Sequence, residues 1–63
     1  MNKVEASEWI KASRNDCQKK ARLHVVIFDR VKDRLSASEQ SAFEARLARM
    51  SIPDLYRAAE VTP

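Results

Sequence analysis

A chain of 63 residues that contains no glycine has few ways to reverse direction sharply. Tight hairpin turns and left-handed helix caps lean on glycine, because a residue without Cβ adopts positive φ at no steric cost. An all-β architecture would lack its turn residues. Abundant Ala, Arg, Lys, Glu and Leu favour helix instead, and the only prolines are Pro53 and Pro63. The expected fold class is all-α.

Helix starts can then be sought in capping signals. Asn2 followed by Glu5 opens a first helix, and nothing of the glycine or proline kind stops it before Leu35. Ile10, Cys17, Ala21, His24, Phe28, Val31 and Leu35 recur at heptad spacing, so they share one stripe of a helix. Ser13 and Arg14 interrupt that stripe. The spacing predicts one long helix over about 4–34, bent or broken around "SRND" at 13–16. Ser36 and Glu39 form a second capping box, and Phe43, Leu47 and Met50 give the helix over about 37–50 its apolar side. Pro53 disfavours helix at Ile52, and Ser51 and Asp54 mark the start of a short third helix, about 53–60, packing Leu55, Tyr56 and Ala59. Residues 1–63 read as one small domain, a helical hairpin with a C-terminal helix.

The run "LHVVIF", residues 23–28, has the composition of a buried strand. Its flanks, "QKKAR" and "DRVKDR", hold no turn residue and the heptad stripe passes through it, so it reads as helix. A helix apolar on every side is normally buried on every side. With His24, Phe28 and Val31 facing the second helix, Val25 and Val26 are left facing solvent. A core this small supplies only about 3–5 kcal/mol. One cysteine forms no disulfide within the chain, and one Cys with one His cannot supply the roughly four ligands of a structural zinc. Dimerisation or a partner is the expected route to completion.

The same inventory bears on function. His24 and Cys17, the residues with nucleophile or metal chemistry, lie seven apart, about 10 Å along a helix, beyond the roughly 3 Å a catalytic dyad needs. His24 is expected to be a packed or interface histidine, with a pH-sensitive interface as the alternative, and Cys17 a small buried hydrophobe. Paired carboxylates, phosphate loops and HExxH-type spacings are absent, so no enzyme, cofactor or metal is expected. The longest apolar run is far short of the roughly 20 residues of a membrane span, and "MNKVEAS" resembles no signal peptide. A cytoplasmic protein without membrane contact is expected.

The net charge of +3 is uneven. Residues 1–35 carry nine Lys/Arg against five Asp/Glu, whereas residues 36–63 carry three against four. Lys11, Arg14, Gln18 and Arg22 step along one side of the long helix, flanked by Asn15, Lys19 and Lys20, and with Lys19 could meet phosphates. Asp16 interrupts them and no aromatic is interleaved.

Two short patterns resemble known families. "LSASE", Phe43 and "RLARMSIPDLY" resemble the second half of the Hha/YmoA proteins, which partner a nucleoid-associated silencing protein. The match covers about half the chain and lacks that family's Asp-His-Arg segment and Trp-bearing final helix. "LSASEQ" with "LYR" is similar to Rop, the plasmid helix-hairpin dimer that binds paired RNA hairpins, but Pro53 interrupts what is one unbroken helix there. No site residue is carried over from either.

The expectation is a non-enzymatic interaction or regulatory module of the phage or plasmid accessory kind. It binds or occludes a protein partner, or a second copy, with Trp9, Val25 and Val26 as contact residues. The alternatives are a dimeric RNA- or DNA-binding regulator using the basic residues of the first helix, and a subunit of a larger assembly.

Overall fold

Four capping signals divide the chain, and each is followed by a helix. The computed structural model, which describes residues 2–63, contains α1 (Lys3–Lys11), α2 (Asp16–Val31), α3 (Ala37–Ala48) and α4 (Ile52–Ala59), with one 3-10 turn, Lys32–Arg34, after α2. No strand occurs among the described residues. Asn2 Oδ1 accepts from Glu5 N at 2.8 Å while its amide donates to Glu5 Oε1 at 2.9 Å. Ser36 and Glu39 close the reciprocal capping box, Ser36 N donating to Glu39 Oε1 at 3.1 Å. Ser51 caps α4 through the Asp54 amide, with Pro53 in the first turn, where its missing N–H costs nothing.

The predicted long first helix is two helices, interrupted at residues 12–15, where the expected bend or break at 13–16 lies. α1 stops at Lys11, where the Ser13 hydroxyl donates to the Ile10 carbonyl, and α2 starts afresh at Asp16. Asn15 is the reason. Its Oδ1 accepts from Gln18 N at 2.8 Å, while Gln18 Oε1 accepts from Arg14 N at 2.7 Å. Those two bonds satisfy amides that a continuous helix would have bonded internally, so the chain can break without glycine or proline.

That break resets which side of α2 faces inward. Because α1 can fold back, α2 packs mainly against α4, next against α1, and least against α3. Ala6 and Ile10 of α1, Leu23 and Ile27 of α2, Leu47 of α3, Leu55, Tyr56 and Ala59 of α4 and Val61 beyond it form the core. The expected stripe is therefore out of phase. Cys17 and Ala21 are exposed, and His24, Phe28, Val31 and Leu35 are only partly buried. Phe28 still reaches α3, its ring centroid 6.4 Å from that of Phe43, and Met50 packs on the core edge as the α3 spacing implied.

α4 ends on Glu60 in the left-handed conformation, φ 57°, the conformation for which glycine is favoured. Val61 N donates to Tyr56 O at 3.4 Å and Glu60 N to Arg57 O at 3.2 Å, closing a Schellman turn with Val61 and Tyr56 both buried. Arg30 Nη1 locks this turn to α2, donating to Ala59 O at 2.7 Å and to Glu60 Oε2 at 3.1 Å. The tail is tied to α1 as well, by Ser7 Oγ donating to Thr62 O at 2.8 Å.

Candidate docking surface

Leu23 and Ile27 turn inward on α2, so the 100° step per residue swings Val25 outward. Leu23 is fully buried and Val25 is 53 % exposed. Val25 stands between two clefts. The first, 290 Å³, has an apolar floor of Ala6, Val26, Ala59 and Val61, with Val25, Asp29 and Arg30 of α2 on one wall and Asn2 and Lys3 on the other. The second, 410 Å³, lies between α2 and α3 and is lined by His24, Val25, Phe28, Leu47 and Ala48 with Asp29, Lys32 and Glu44 at its rim. Val25 and Asp29, one helical turn apart, are therefore a ridge shared by both clefts.

Val26 does not face solvent as expected: it is partly buried against the core and reaches outward only as floor of the first cleft. Trp9 is held rather than offered. The Arg22 guanidinium sits 5.0 Å above its ring centroid, and Arg22 Nη1 donates to the Trp9 carbonyl at 2.6 Å, fastening the end of α1 to α2. Cys17 is exposed, not buried, because the break places it in the first turn of α2. His24 is partly buried, and its Nε2 is buried with no hydrogen-bond partner among the described residues.

The basic residues do not form one helix face. Lys11 ends α1, Arg14 lies in the connection, and Gln18, Lys19 and Arg22 belong to α2. Gln18 is spent on the α2 start and Arg22 on Trp9. Asn15 is likewise the cap, and Lys20 Nζ donates to Ala48 O at 3.0 Å, where the C-terminal carbonyls of α3 favour a cation. Lys11, Arg14 and Lys19 remain as outward cations. Of these, Lys11 and Arg14 are exposed and Lys19 is half-buried.

Elsewhere the charges act locally. Asp29 pairs with Lys32 at 3.0 Å, and the carboxylate beside it holds the Lys32 ammonium above its ordinary value. The Ser36 amide and hydroxyl hold the Glu39 carboxyl below its ordinary value. Among the described residues no three His, Cys, Asp or Glu side chains converge to hold a metal ion, and no helix is long and apolar enough to cross a membrane.

Compared with known proteins, the chain matches no family model, no curated protein and no solved structure. Functional inference therefore rests on the surface itself. The feature that sequence reasoning missed was the cleft beside Val25, whose far wall exists only because α1 folds back.

Proposed function

We propose that this protein is a non-enzymatic interaction module, which docks onto another protein surface through the Val25–Asp29 ridge of α2 and the clefts beside it. The observation that carries this reading is the exposure of Val25 in the middle of the most apolar run of the chain, with a cleft on either side. Single exposed valines are ordinary. A valine raised between two partly apolar clefts is a shape that a partner can grip, and covering it removes apolar surface from water at roughly 25 cal/mol per Å². The mechanism is occlusion or bridging: the bound partner loses or gains access to a surface according to what the ridge covers.

Relative to the expected contact set, Val25 is the centre, Val26 supports the cleft floor, and Trp9 braces α1 from behind. The nucleic-acid reading through Lys11, Arg14, Gln18, Lys19 and Arg22 has less support, because two of the five are held in internal hydrogen bonds. A photo-crosslinking amino acid placed at Val25 tests the docking reading in the cells that produce the protein. It should yield a discrete covalent adduct, whereas the same group at Ala45, on the exposed side of α3, should not. Equal labelling from both positions, or none from Val25, would overturn it.

A further inference from the structure

We infer that the occupant of this surface is a second copy of the chain, related by a two-fold axis beside Val25, so that each copy's Val25–Asp29 ridge lies in the α1–α2–α4 cleft of the other. This rests on the docking reading above and names the partner. The geometric ground is that ridge and cleft adjoin on one face and share Val25 and Asp29. A two-fold operation that seats a ridge in the neighbouring copy's cleft necessarily seats the other ridge as well, the isologous arrangement of most dimers. Ridge-into-groove packing is also how helices ordinarily meet. The floor residues Ala6 and Ala59 are small, so the cleft has depth for a branched side chain.

 Ala6 and Ala59 present only methyl groups to that space.

Charge selects the cleft and the occupant. A ridge entering the first cleft carries its Asp29 carboxylate toward Lys3 on the far wall, and among the described residues Lys3 makes no ion pair. The two-fold axis repeats that Asp29–Lys3 pairing, once in each direction. The second cleft would set Asp29 against Glu44, and its cation, Lys32, is already paired with Asp29 of its own helix. The first cleft thus offers the incoming carboxylate a cation that makes no ion pair among the described residues, whereas the second offers one already paired and sets a carboxylate beside it.

Sedimentation equilibrium of the purified protein from about 1 µM to about 1 mM tests this directly. A monomer–dimer equilibrium is expected, abolished by Val25→Asp. Lys3→Glu and Asp29→Lys, both at exposed positions, should each weaken the dimer about tenfold, since every lost pair is counted twice. Mixing the two variants should restore association, because the mixed dimer regains both opposite-charge pairs. A monomer throughout the range, or a dimer that ignores these changes, would overturn the second copy as occupant. If that monomer still gives an adduct with a different protein from position 25, docking stands and only the self-pairing falls. If it gives none, both fall.

Discussion

The two sides of α2 differ by a rotation of a few residues and by everything that depends on water. Leu23 and Ile27 are sealed at 0 % and 3 % exposure between α1 and α4, while Val25, from the same apolar run, stands half in solvent. The inner side is closed by the chain's own elements. The outer side is left with a ridge and two clefts that none of the described residues fills. Similar side chains on one helix thus divide between holding the fold and presenting a surface. What divides them is the position of the break at residues 12–15.

That contrast can be broken most forcefully from the inside. Leu23→Ala should cost about 2–5 kcal/mol, because it opens a cavity in a core of few residues. In thermal denaturation this is a drop of about 8 °C or more at about 4–8 °C per kcal/mol, and in so small a domain it approaches global unfolding. Asn15→Ala acts on the break itself. Losing the α2 cap should cost about 1 kcal/mol in denaturant titration, and it loosens Trp9 from Arg22, which a red shift of the Trp9 fluorescence would report. An unchanged midpoint would mean that the break is held by packing alone.

Ser36→Ala removes the capping box of α3, remote from both sides of α2, and should cost about 1 kcal/mol or a little less. It also carries a pH signature. Since the folded state holds Glu39 below its ordinary value, the stabilisation is present above the unfolded-state value and is lost as pH falls through the folded one. The wild type and Ser36→Ala should therefore converge in stability on the acid side. Persistence of the full difference in acid would contradict the assignment. The smallest expected effect on stability is that of Val25→Asp, within about 0.5 kcal/mol as for other exposed positions. A loss comparable to that of Leu23→Ala would mean that the outer side is structural after all.

Much of the fold was legible because its devices are local. Asn2, Ser36 and Ser51 each accept the amide bond their sequence position implies, and Pro53 sits in the first turn of α4, which begins one residue earlier than expected because Ile52 is helical despite the proline after it. Leu55, Tyr56 and Ala59 are buried as the spacing required. The break at 12–15 was also written locally, in "NDCQ", where Asn15 and Gln18 have the capping spacing. The phosphate reading spends those two residues on an interface instead. The heptad stripe keeps one phase through the expected bend or break at 13–16, which places His24 and Phe28 where Leu23 and Ile27 belong. The exposure of Val25 survived that error because it lies off both stripes, whereas Val26 did not.

Other features had no local signal. The Arg30 latch joins residues thirty apart, and the Schellman turn places glutamate where glycine is the usual choice. The clefts arise from three elements meeting, which no periodicity encodes. Charge composition likewise counts Arg22 and Lys20 as free cations, although each is hydrogen-bonded to a carbonyl at a helix end.

The claim that matters most is that the outer side of α2 is covered when the protein works. Carbene footprinting read residue by residue at Val25 and Leu23 measures this, first on the dilute purified protein and then at high concentration and in an extract of the producing cells. The account predicts heavy labelling of Val25 in dilute solution, strong protection in at least one of the other two conditions, and no labelling of Leu23 in any. Labelling of Val25 that stays the same in all three would contradict it.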